Sequence, residues 1–197
     1  MTQNNYIRLA ADLQSDSIVD GPGLRAVLWT QGCGHHCEGC QNPQTWDFEG
    51  GGLVPIDAVK EAIDELEYQT GLTFSGGDPM FQPEACTEIA EYARKKGLNI
   101  WVYTGFTYEE IEKMAKEKPI YNEFLQKIDV LVDGRFIMEK RNLNLLFRGS
   151  SNQRLIDVPA SLERGEVVLF NEYEYSEERY FDFASSLGRD SISGIPP

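Results

Sequence analysis

Three cysteines, Cys33, Cys37 and Cys40, fall within eight positions of the stretch "TQGCGHHCEGCQNPQTW" at residues 30–46. Clustered thiols in a reducing setting point to metal or redox chemistry rather than to structural disulfides. Structural zinc calls for four tetrahedral ligands, commonly supplied as Cys-x2-Cys pairs. Only one such pair, Cys37 and Cys40, is present, so a zinc site would need His35 or His36 from inside the loop. A cubane iron–sulfur cluster normally takes four cysteines. Three would leave one iron with an open position, and an open position is how a metal site binds a substrate. Gly32, Gly34 and Gly39 give the loop room to wrap a bulky group. The triplet therefore reads as a cluster that takes part in chemistry. Cys86 stands apart in "PEACTEIAEYA", where a small buried thiol on a helix is expected.

Other residues with chemical potential fall at the ends of expected strands. Ser75-Gly76-Gly77-Asp78 offers exposed backbone carbonyls and a carboxylate that can accept from an ammonium group. The same four residues also suit a tight turn in which Asp78 caps a helix beside Pro79. Asp20 precedes Gly21-Pro22-Gly23 and reads from its neighbours as a turn residue. Thr104 and Asp133 either line a ligand pocket or satisfy turn amides. Arg148 in "FRGSSNQ" is a guanidinium suited to a carboxylate or phosphate, or to bridging Asp133.

Alternating helices and strands must position these groups. "LRAVLWTQG" reads as the strand that leads into the cysteine loop. "PIDAVKEAIDELEYQ" sets Ile56, Val59, Ile63 and Leu66 on one helical face. "GLTFSGGDP" is a strand, "PEACTEIAEYARKKG" a helix stopped by Gly97, and "NIWVYTGF" a buried strand. "TYEEIEKMAKE" and "IYNEFLQKI" are helices and "DVLVDGRF" a further strand. This order predicts a parallel α/β sheet with the site at the carboxyl ends of its strands. A complete eight-stranded α/β barrel takes about 250 residues. A chain of 197 residues is expected to build an incomplete, open one as a single domain. The core spans about residues 17–160, and an acidic, aromatic extension follows over about 161–197. Tyr173, Tyr175 and Tyr180 are expected to pack over an open edge, with the last ten or so residues frayed.

Bulk properties agree with a globular protein. Apolar residues make up 41% of the chain, and no run approaches the roughly 18 uncharged apolar residues of a membrane span. The start lacks the basic and apolar segments of a secretory signal, so a cytoplasmic location is expected. A net charge of −14, from 32 acidic against 18 basic residues, disfavours nucleic acid as a partner.

The Cys-x3-Cys-x2-Cys loop after a strand resembles the signature of radical S-adenosylmethionine (SAM) enzymes. "SIVDGPGLRAVLWTQGC" and "GCQNPQTW" resemble the activating enzymes of glycyl-radical enzymes. "SGGDPM", "IWVYTGFTYEE", "DVLVDGRF" and "FRGSSNQRLIDV" are together similar to the activating proteins of anaerobic ribonucleoside-triphosphate reductase. The matching blocks run in order from about Ser17 to Val158.

The resemblance implies an open (β/α) barrel of the radical SAM type. It implies that Cys33, Cys37 and Cys40 hold three irons of a [4Fe-4S] cluster and that SAM chelates the fourth. Reductive cleavage of SAM would give a 5′-deoxyadenosyl radical, which takes a hydrogen atom from a glycine of the reductase's large subunit. It further implies SAM contacts at Gly39, Cys40 and Gln41 and at Gly76, Gly77 and Asp78. Thr104, Asp133 and Arg148 are further candidates, with Asp20 facing the partner's glycyl loop. A small electron donor such as flavodoxin is a family-level expectation. Activation of a formate-lyase-type enzyme is the nearest alternative, followed by a non-catalytic iron–sulfur or zinc protein. His35 and His36 are expected beside the ligands without a catalytic part, and Trp29, Trp46 and Trp101 as packing anchors.

Overall fold

A computed structural model describes residues 5–170 of the chain. Eight strands among the described residues form one sheet: β1 (Tyr6–Leu9), β2 (Gln14–Ser17), β3 (Arg25–Thr30), β4 (Gly52–Pro55), β5 (Gly71–Gly76), β6 (Asn99–Tyr103), β7 (Val130–Asp133) and β8 (Arg154–Asp157). Their spatial order is β4-β1-β3-β5-β6-β7-β8, with β2 paired to β3. The helices are α1 (Ile56–Asp64), α2 (Pro83–Lys95), α3 (Tyr108–Glu117), α4 (Ile120–Leu125) and α5 (Val158–Arg164).

The parallel expectation holds for the centre of the sheet and fails at its margins. The β3–β5, β5–β6 and β6–β7 pairs are parallel. The β1–β3, β1–β4, β2–β3 and β7–β8 pairs are antiparallel. The physical reason lies in the connections. Parallel neighbours need a helical crossover, which α1, α2, and α3 with α4 supply. Only a three-residue 3-10 turn (Met138–Lys140) lies between β7 and β8, and short links join the first three strands. The sheet is mixed and does not close on itself.

Side chains alternate across the central strands with a period of two. Ala26, Leu28, Leu72, Phe74, Ile100, Val102, Leu131 and Ile156 join the main core under the helices. Trp101, Val130, Val132 and Leu155 form a smaller cluster of their own, with Tyr103, Phe147 and Phe170 packed against it. The helices cover the first face through spaced apolar residues: Ile56, Val59 and Ile63 of α1 are each nearly inaccessible. At the end of α2, Gly97 takes φ +84° and Leu98 N bonds back to Ala93 O at 3.1 Å, which stops the helix as its sequence suggests. At the start of α3, Thr107 and Glu110 form a reciprocal capping box. After α5 the chain returns along β8, with Phe170 N donating to Leu155 O at 2.8 Å. Tyr173, Tyr175 and Tyr180 lie outside the described residues.

Candidate iron–sulfur site

The carboxyl ends of β3, β5 and β6 deliver three loops to one cavity of about 660 Å³. Cys33, Cys37 and Cys40 all line it, and all three thiols are free. The cysteine loop is pinned at its start, where Gly32 N donates to Thr45 O at 2.8 Å and Cys33 N to Trp46 O at 3.1 Å. Further along, Cys40 N bonds to Cys37 O at 3.1 Å, closing a turn that carries the second and third thiols. Gly39 sits in that turn at φ +71°, and a Cβ there would come within 2.3 Å of Met138 Cε. A residue with a side chain would strain the backbone and collide with the loop after β7.

Gly76 and Gly77 have a structural purpose that the sequence did not reveal. Gly77 N donates to Thr30 O at 2.7 Å and Asp78 N to Gly32 O at 3.0 Å, so the β5 end hooks onto the root of the cysteine loop. A Cβ on Gly77 would lie 2.5 Å from Gly32 O, and one on Gly76 would lie 2.5 Å from Thr30 O. Only glycine permits this approach. Gln82 completes the junction by donating to Arg8 O and Gln31 O and accepting from Arg8 N.

Asp78 lines the cavity yet is 1% exposed. Its Oδ1 accepts from Met80 N at 2.9 Å, the turn-capping role. Its Oδ2 accepts from Thr104 Oγ1 and Gly105 N, each at 2.9 Å, and from His35 Nε2 at 2.8 Å. The capping role is observed, and the carboxylate also borders the cavity. Thr104 is held by Asp78 and accepts from Phe106 N at 3.1 Å.

Burial pushes the Cys33 thiol up to about 11, and Asp78 and the other two thiols push in the same direction. Burial also raises Cys37, opposed by a hydrogen bond from the backbone at Phe136 and by Arg135. The Cys33 and Cys37 thiols must therefore lose protons when they take up metal. Cys86 is fully buried on α2 and does not line this cavity, as its isolated position suggests.

Gln41, Arg148 and Asp20 also line the cavity, whereas Gly39, exposed in the adjoining turn, is not among its lining residues. The "RGSSNQ" segment folds on itself. Gln153 Oε1 accepts from Gly149 N and Ser150 N, while its Nε2 donates to Gly134 O. Asn152 Nδ2 donates to Arg135 O at 2.9 Å. Most of the motif thus ties the β7 loop to the approach of β8. Arg148 Nη1 donates to Gln153 O at 3.4 Å, and its buried Nε has no partner among the described residues. Asp20 accepts from the Ser17 hydroxyl and, through its carbonyl, from Thr73 Oγ1 at 2.7 Å.

Of the two roles the sequence left open for Asp133, the structure displays the amide-satisfying one; Asp133 is not among the residues that line the cavity. It is 1% exposed and accepts from Tyr108 N at 2.8 Å and from Arg154, not Arg148, with Arg154 Nε at 3.0 Å. Arg154 also grips Glu109 in a bidentate pair. The register of β7 against β8 sets Asp133 opposite Arg154, which places the arginine across the strand.

Two residues escaped the sequence reading. Arg25 is 1% exposed on the inner face, where its Nε donates to Thr73 Oγ1 at 2.7 Å and its Nη atoms reach Asn99 and Leu72 O. Its buried position on an apolar strand was the available signal. His35 was expected beside the cysteines without a catalytic part; it reaches Asp78 across 43 residues of sequence, a contact only the tertiary fold creates.

The donor set fits an iron–sulfur cluster. Three free thiols share one cavity with a guanidinium that keeps an unsatisfied donor. The family model for a 4Fe-4S single cluster domain matches residues 19–156. Among curated relatives, the anaerobic ribonucleoside-triphosphate reductase-activating protein of Enterobacteria phage T4 is 40% identical over 146 residues, covering 70% of this chain and 86% of its own. Those of Haemophilus influenzae and Escherichia coli K12 are 35% and 33% identical, each covering 69% of this chain and 89% and 90% of their own. The chain belongs to this family of reductase-activating proteins built on a 4Fe-4S single cluster domain.

Proposed function

We propose that the chain activates an anaerobic ribonucleoside-triphosphate reductase by radical SAM chemistry, with its open sheet serving as a partial barrel of that type. The observation that carries this reading is the shared cavity, where the three thiols meet Asp78 and Arg148. A cluster held by Cys33, Cys37 and Cys40 would supply the one electron for reductive cleavage of SAM, the chemistry that would remove a hydrogen atom from a glycine Cα of the reductase. The electron comes from a small donor such as flavodoxin.

The chain's own residues bind and orient. Cys33, Cys37 and Cys40 are the cluster ligands, and three thiolates leave one iron for the substrate. Asp78 accepts the SAM amine on Oδ1, which has one donor where Oδ2 already has three. Arg148 offers its spare Nε–H to the SAM carboxylate. The backbone of 39–41 approaches the adenine, and Asp20 meets the glycyl loop at the cavity's edge. Apolar walls at Trp29, Tyr103 and Phe147 exclude water from the reacting atoms.

The test is radical transfer. Reconstituted protein, SAM and reductant are mixed with the reductase's large subunit, and electron paramagnetic resonance is recorded. A glycyl radical on the reductase, absent when SAM is omitted, is the expected result. Transfer only to a formate-lyase-type partner would overturn the choice of reductase.

A further inference from the structure

His35 lies between two cysteines of the triplet, flanked by exposed Gly34 and His36, yet its side chain is only 4% exposed. Four contacts seat the ring. A carboxylate only accepts, so at 2.8 Å from Asp78 Oδ2 it is His35 Nε2 that carries the hydrogen and donates. Phe81 and Phe106 hold the ring, with centroids at 5.8 and 4.5 Å. The fourth wall is the backbone of Gly105, where a Cβ would lie 2.4 Å from His35 Cδ2. The seat fits an imidazole, and a glycine leaves the space for it.

We propose that His35 is a positioning residue that fixes the separation between the cysteine loop and the carboxylate that receives the SAM amine. This rests on the radical SAM reading. The cysteine loop has no regular secondary structure between Gln31 and Asn42, and its backbone anchors lie at Gly32–Cys33 and in the Cys37–Cys40 turn. Between them, His35 ties the loop to the end of β5 through a side chain. Asp78 is already fixed on its other sides by Met80, Thr104 and Gly105. The imidazole therefore transmits a rigid reference point to Cys33 and Cys37. A ligand that must touch both a loop-held metal and Asp78 tolerates little drift between the two.

The test compares reconstituted His35→Ala, His35→Gln and Gly105→Ala with wild type. Iron per chain, the SAM Kd and the SAM-induced change in the reduced-cluster spectrum are measured. Loss of one charge-assisted hydrogen bond corresponds to about tenfold or more in Kd. His35→Ala is expected to keep four irons, bind SAM about tenfold more weakly and show a diminished spectral response. His35→Gln, whose amide can still donate, should recover most of both. Gly105→Ala keeps His35 and the backbone N–H but fills the ring's seat, and should resemble His35→Ala. A His35→Ala protein with four irons and wild-type Kd overturns the proposal, as does a defect that His35→Gln leaves unrepaired. If His35→Ala takes up no iron, recovery of uptake in His35→Gln supports the proposal and continued loss overturns it. A wild-type cluster indifferent to SAM would instead overturn the radical SAM reading itself, before any variant is compared.

Discussion

Replacing Asp133 by alanine separates a residue that holds the fold from those that hold the ligand. Its carboxylate is 1% exposed and accepts from Tyr108 N, at the start of α3, and from two nitrogens of Arg154. Breaking a buried ion pair costs about 3–5 kcal/mol when the survivor is left uncompensated. Here Arg154 is 31% exposed and keeps Glu109, which moves the cost to the lower end, about 3 kcal/mol. For a chain of this length each kcal/mol lowers Tm by about 2–4 °C, so a fall of about 6–12 °C is expected. Urea titration of the metal-free protein measures the loss through its midpoint, with the slope unchanged. The reconstituted variant, assayed well below its Tm, should bind SAM like wild type because Asp133 lies outside the cavity. Weakened SAM binding with undiminished stability would refute the placement of this residue.

Four other expectations follow from the same structure. Alanine at Cys33, Cys37 or Cys40 should abolish the cluster and SAM cleavage, whereas Cys86→Ala should keep both, as iron analysis and product assays would show; cluster loss in Cys86→Ala would contradict the ligand assignment. Gly77→Ala places a methyl against Gly32 O and should cost about 1–3 kcal/mol while weakening SAM binding. Gly97→Ala, at φ +84° in open space, should cost about 1 kcal/mol and leave SAM binding unaltered. Arg154 holds the Glu109 carboxyl down at about 2, against about 4.3 for an unfolded chain. The unfolded state then binds the proton first, so this contribution is present above about pH 4.3 and lost as pH falls towards 2. Glu109 is half exposed, which limits the contribution to under about 1 kcal/mol. The urea midpoints of wild type and Glu109→Gln should therefore differ at pH 6 and converge by pH 2–3; a gap that widens on acidification would contradict the pairing.

The elements legible in the sequence were those whose own residues carry the signal. Apolar runs marked β3, β5, β6 and β7, and helical spacing marked α1 to α4. The outer strands carry no such signal. β2 reads "QSDS" and buries only Ser17, while β1 and β4 have four residues each and β4 ends in proline. They are strands because neighbours supply their ladder bonds, a tertiary condition that local propensity does not express. The site follows the same division. The cysteine spacing and the Gly-Gly-Asp turn are local patterns and were readable. The His35–Asp78 bond, the Asp133–Arg154 pair and the steric need for Gly77 join residues 20 or more positions apart, so they emerged only from the fold.

The open iron position is the central claim, and the reduced cluster's electron paramagnetic resonance spectrum, recorded with and without SAM, tests it most directly. Three cysteine ligands predict a [4Fe-4S] signal that shifts when SAM is added. A signal of the same cluster that SAM leaves unchanged would contradict the claim.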